Sequence, residues 1–162
     1  MPITEAMTRR TIAVLGVTAA AMAGGAPAQA SDASLRRVVK QQEKKLDVKA
    51  EAFAEASEDV TSAVGRESAL TAVTELKSAA RRLRTAVVKE KASTSKVKRG
   101  RTQYIAAVDR YVTGLKTFDQ GLEAFDPDAP AKAKALFKKA ATQLKAAVTR
   151  RERARKVIVR RS

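Results

Sequence analysis

The chain has 162 residues, and 33 Lys and Arg against 17 Asp and Glu give it a formal charge of +16, with no Cys and no His. Without cysteine no disulfide can staple the fold, and without imidazole or thiolate the usual zinc, copper and haem ligands are missing. Every Ser-His or Cys-His nucleophile is excluded with them, as is a di-iron bundle built on Glu-x-x-His pairs, so the sequence implies neither an enzyme nor a metal or cofactor.

The first thirty residues have the layout of a secretory signal peptide. Arg9 and Arg10 form a positive n-region, Thr11 to Ala23 is an uncharged, mainly apolar stretch, and Gly24, Gly25 and Pro27 are expected to break the helix. A small-x-small site follows at Ala28-Gln29-Ala30, placing cleavage between Ala30 and Ser31. The apolar run is shorter than the roughly 20 residues that span a bilayer. Thr8-Arg9-Arg10-Thr11-Ile12 resembles a twin-arginine signal, but Ile12-Ala13-Val14 stands where Phe-Leu-Lys often follows, which leaves the Sec and twin-arginine routes both open. Residues 31–162 are therefore expected to work outside the cytoplasm as one exported domain: secreted, periplasmic or bound to the envelope.

That remainder is rich in Ala, Lys, Arg, Glu and Leu with few breakers, a composition that favours helix nearly throughout. Leu35, Val39, Leu46, Phe53, Val60 and Ala63 fall on one face of a first helix, with Gln42 and Lys49 as polar flaws and Gly65 ending or kinking it. A second face reads Ala69, Val73, Leu76, Ala80, Leu83 and Val87, and the polar run from Lys91 to Ser95 interrupts. In the third, Val97, Tyr104, Val108, Tyr111, Leu115, Phe118, Leu122 and Phe125 alternate by three and four, with Arg101 the one polar member. The heptad row Tyr104, Tyr111, Phe118, Phe125 reads as core rather than a ligand ladder. Asp126-Pro127-Asp128-Ala129-Pro130 breaks the chain, with Asp128 as a candidate cap. Ala133, Phe137, Ala140, Leu144, Ala147, Ala154 and Ile158 line a last helix, and its many alanines imply close backbone approach.

Four helices with short connections predict an all-α, antiparallel up-down-up-down four-helix bundle. The alternative is a three-helix bundle in which Gly65 only bends the first helix. The four-helix rod should be about 40 Å long.

Charge is gathered in three windows: Arg36 to Lys49, Arg81 to Arg101, and Arg150 to Arg161, with only Glu43, Asp47, Glu90 and Glu152 as acids inside them. In an antiparallel bundle these windows share one end of the rod, opposite an end bearing Glu51, Glu55, Glu58, Asp59, Glu67, Asp119, Glu123, Asp126 and Asp128. Cations at helix C-termini oppose the macrodipole favourably, but that does not explain Arg36, Arg37, Lys40, Lys96, Lys98 or Arg99 at helix starts. The expected contact residues of a collective anion-binding patch are Arg36, Arg37, Lys40, Lys98, Arg99, Arg101, Arg151, Arg153 and Arg155. The expected partner is an anionic membrane surface or acidic wall polymer. Sequence-nonspecific nucleic-acid binding is one alternative. Self-association through the imperfect faces at Gln42, Lys49, Arg101 and Arg151 is another.

Overall fold

The alanine-rich heptads fold as expected. The computed structural model describes residues 26–160, and four helices make up nearly all of that stretch, with no strand among the described residues: α1 (Ala26–Ala56), α2 (Ala63–Lys89), α3 (Ser95–Glu123) and α4 (Ala131–Val159). Arg9, Arg10 and the apolar stretch Thr11 to Ala23 lie outside the described residues. Pro27 stands in the first turn of α1, where its missing N–H is no loss. The expected cleavage site thus lies within a helix that begins earlier than the sequence suggested.

Each helix packs antiparallel on the next, most extensively α3 on α4 and most sparsely α4 on α1, giving the four-helix bundle. Its core follows the predicted faces closely. All six α2 positions, Ala69, Val73, Leu76, Ala80, Leu83 and Val87, are fully buried. So are Leu35, Val39, Leu46, Tyr104, Leu115 and Ile158 or nearly so. Phe53, Phe118 and Phe137 gather at the end away from the basic windows, with ring centroids 4.9 Å apart for Phe53–Phe118 and 5.0 Å for Phe118–Phe137.

The connection between α1 and α2 differs from expectation. Gly65 neither ends nor bends a helix; α1 stops at Ala56, and Gly65 lies in the first turn of α2. Asp59 directs the turn, because its carboxylate accepts from Thr61 N and Ser62 N and from the Thr61 and Ser62 hydroxyls. Those bonds, the Ser62 hydroxyl first among them, hold the Asp59 carboxyl down at about 2. Ser62 is the N-cap, its Oγ accepting from Gly65 N at 3.0 Å. A side chain at Gly65 would collide with the Asp59 carbonyl, so glycine is required for close approach. Val60 and Ala63 accordingly leave the first helix. The three-helix alternative is not what the chain adopts.

The other two connections lie where the polar run and the prolines placed them. Thr94 caps α3, its Oγ1 accepting from Val97 N. Asp128 does not cap α4, because Asp126 organises that turn and helix formation starts at Pro130 without a side-chain cap.

A seam of small residues brings α3 and α4 together. Gly100, Ala107, Gly114 and Gly121, one every seven residues, are buried along α3, and Ala133, Ala140, Ala147 and Ala154 repeat at the same interval along α4. Added Cβ atoms would meet Val157 from Gly100, Leu144 from Gly114 and Phe137 from Gly121, all at 2.9 Å or less. Large side chains of one helix thus fill gaps left by glycine in the other, which gives the register its specificity.

Candidate functional site

Backbone and side-chain ties bring the three basic windows to one end of the bundle. Asp32, buried near the start of α1, accepts from Ser93 N at 2.7 Å and from Thr94 Oγ1 at 3.0 Å, and the Ser31 and Ser93 hydroxyls are hydrogen-bonded. Arg36 Nε donates to the carbonyl of Ile158 at 2.9 Å. Arg101 donates from Nε to Val87 O at 3.0 Å and from Nη2 to Val88 O. The start of α1, the α2–α3 turn and the end of α4 therefore meet.

The nine candidate residues divide into three groups. Arg36 and Arg101 satisfy carbonyls in the last turns of α4 and α2, which have no partner within their own helices. Their positive charge belongs to the C-terminus of a neighbouring antiparallel helix, which is why the macrodipole of their own helices does not account for it.

Arg151 and Arg155 serve the interior. They converge on Glu43, a carboxylate 7% exposed in the middle of the bundle. Arg155 Nε lies 2.6 Å from Glu43 Oε2, and Arg151 Nε lies 3.9 Å from Oε1, with its Nη2 3.6 Å from Asp47. The Tyr104 hydroxyl donates to Glu43 Oε1 at 2.8 Å. Burial, reinforced by the Glu43 charge, pushes the Tyr104 phenol well above its ordinary pKa, so it stays a donor. Burial likewise raises Tyr111, over whose ring the Arg151 guanidinium sits at 5.8 Å. This cluster is the main polar tie across the sparse α1–α4 interface.

Arg37, Lys40, Lys98, Arg99 and Arg153 are exposed and form no ion pair among the described residues. Lys89, Lys91, Lys96, Lys156 and Arg160 are exposed beside them. The opposite sides of α2 and α3 behave differently: Arg84 pairs with Asp109 at 2.6 Å, and Lys77 pairs with Asp119. Cations are thus neutralised along the α2–α3 flank and left open at the end where the windows meet.

Two residues of the site escaped the sequence reading. Glu43 stood among lysines as a countercharge, but the α1 face steps from Val39 to Glu43 to Leu46, and Gln42 falls beside it. Asp32 gave no signal at all, because its partners lie across a turn. No group of carboxylates among the described residues is placed to hold a metal ion, and no described helix is long and apolar enough to cross a membrane. Neither protein-family models, curated proteins nor solved structures yield a match to this chain.

Proposed function

We propose that the chain is an exported, non-enzymatic binding protein whose basic end docks on an anionic surface of the cell envelope. The observation that carries this reading is the convergence of three sequence-distant basic windows at one end of the rod, where Arg37, Lys40, Lys98 and Arg99 have no ion pair among the described residues. Concentrating like charges costs self-repulsion, and an anionic partner relieves it. Near an anionic membrane each such cation is worth about 1 kcal/mol, screened by salt within roughly 8 Å. Export rests on the signal-like first thirty residues, and the absence of His and Cys supports a role without nucleophilic catalysis.

Co-sedimentation of the full chain with neutral and anionic phospholipid vesicles across a salt series tests the proposal. Pelleting with anionic vesicles alone, lost as salt rises, is expected. No pelleting at low salt would sink it.

A further inference from the structure

The open cations are not confined to the end of the rod. Two adjoining hollows of about 340 and 520 Å³ follow one another along the outer face of α4, the first where α3 meets it and the second lined by α4 alone. They share Arg150 and Arg153, and together they form one furrow lengthwise to the helices. Arg110 lines it from α3 and Lys145 from α4. Ala106, Ala107 and Ala154 line the first hollow and Ala146 the second.

Among the described residues, no carboxylate lines either hollow. The α3 carboxylates Asp109 and Asp119 are held by α2 cations, and Glu152 of α4 pairs with Arg155. Arg110, Lys145, Arg150 and Arg153 are all exposed and form no ion pair among the described residues. A merely solvated surface interleaves its charges; this one segregates them.

We infer that this furrow binds the backbone of a linear, base-free phosphodiester polymer, an acidic wall polymer of the poly(alditol phosphate) kind. Lys145 and Arg153 stand about 12 Å apart along α4, so the cations match successive anionic groups on one chain rather than a single phosphate. A flat membrane against the basic end would not engage them: Lys145 lies about 22 Å back from Arg160, well beyond the screening length of roughly 8 Å. Single-stranded nucleic acid is another extended phosphodiester, and its binders stack bases on open aromatic rings. Here every described aromatic ring is buried or half-buried, and none lines the furrow. The inference takes its compartment from the proposed function but rests on a different face of the molecule.

End-labelled poly(glycerol phosphate) provides the probe, with anisotropy measured on the full chain across a salt series. Binding is expected, with log affinity falling linearly in log salt. The variant R110Q/K145Q/R150Q/R153Q should bind at least about tenfold more weakly, with a salt slope smaller by about three, since each lost phosphate contact removes roughly 0.7–0.9. These side chains make no hydrogen bond or ion pair among the described residues, so unchanged far-UV circular dichroism should show that the variant folds. The variant R37Q/K40Q/K98Q/R99Q should keep polymer affinity within about twofold while losing anionic vesicles. Polymer binding without any vesicle binding would uphold the furrow and remove the docking end. Equal polymer binding by the furrow variant and the parent overturns the inference, as does no binding at low salt. Tenfold tighter binding of oligothymidylate with the same number of phosphates overturns it in favour of nucleic acid.

Discussion

Tyr104 and Glu43, 61 residues apart, share a 2.8 Å hydrogen bond inside the bundle, and the phenol is fully buried. The same carboxylate meets Arg155 at 2.6 Å, so one acid on α1 holds a donor from α3 and a cation from α4. Removing it leaves the phenol without its partner and the guanidinium with Glu152 alone. A fully buried pair broken this way loses about 3–5 kcal/mol. Arg155 is 37% exposed, which reduces the cost through solvent screening. Glu43→Ala should therefore lower unfolding free energy by about 2–3 kcal/mol in urea titration. The triple variant E43L/Y104F/R155M, which replaces the network by apolar contacts, should recover most of that loss. Wild-type stability for Glu43→Ala would mean that the cluster does not hold α1 on α4.

The α3–α4 seam predicts a loss that helix propensity alone would not give. Gly to Ala within a helix normally gains about 1 kcal/mol. At Gly121 the new methyl would stand 2.6 Å from the Phe137 ring, and at Gly114 it would stand 2.9 Å from the Leu144 side chain and 3.2 Å from its backbone nitrogen. Overpacking of this kind costs about 1–3 kcal/mol, so Gly114→Ala should be destabilising overall when the urea midpoint is measured. Gly121→Ala should be rescued in part by Phe137→Leu, which withdraws the ring. A raised midpoint for Gly114→Ala would show that the helices have room to separate.

Much of this architecture was legible because heptad spacing is a local property. Val73, Leu76, Ala80, Leu83 and Val87 announce a buried stripe without reference to any neighbour. Alanines at 133, 140, 147 and 154 announced close contact on α4, and the matching row Gly100, Ala107, Gly114, Gly121 was equally visible as a seven-residue repeat of small residues. It was obscured by reading large side chains as the signal of a core. The site was less legible, because an arginine has the same letter whether it caps a carbonyl, neutralises a buried acid or faces water. Arg36, Arg151 and Arg153 fall into those three roles only once Ile158, Glu43 and the furrow are placed beside them. The furrow itself depends on which flank each carboxylate of α3 faces, and that is set by Arg84 and Lys77 on another helix.

The turn at Asp59 gives a pH dependence of known sign. Its carboxyl titrates at about 2 in the folded chain against an ordinary value of 3.8. The folded state thus favours the charged form, and the resulting stabilisation is present above about pH 4 and is lost as pH falls through 2. The parent should be more stable than Asp59→Ala at pH 6, and the gap should close progressively between pH 5 and pH 2. Urea midpoints of both proteins over that range provide the check. A gap independent of pH would mean that the turn is held by groups other than the carboxylate.

The basic end should separate into cations that hold the fold and cations that hold a partner. Arg36 and Arg101 donate to carbonyls at the ends of α4 and α2, and each such bond is worth about 1 kcal/mol net. Arg36→Gln and Arg101→Gln should each lower thermal stability by that order. Arg37, Lys40, Lys98 and Arg99 touch no carboxylate among the described residues, and exposed substitutions of this kind usually change stability by no more than about 0.5 kcal/mol. Their joint replacement by Gln also relieves self-repulsion, so the melting temperature at low salt should hold or rise, and the difference should shrink as salt screens the charges. Anionic vesicle binding should follow the opposite order, surviving Arg101→Gln and disappearing in the quadruple variant. If both sets changed stability alike, the division between structural and open cations would fail, and with it the reason for assigning the open ones to a partner.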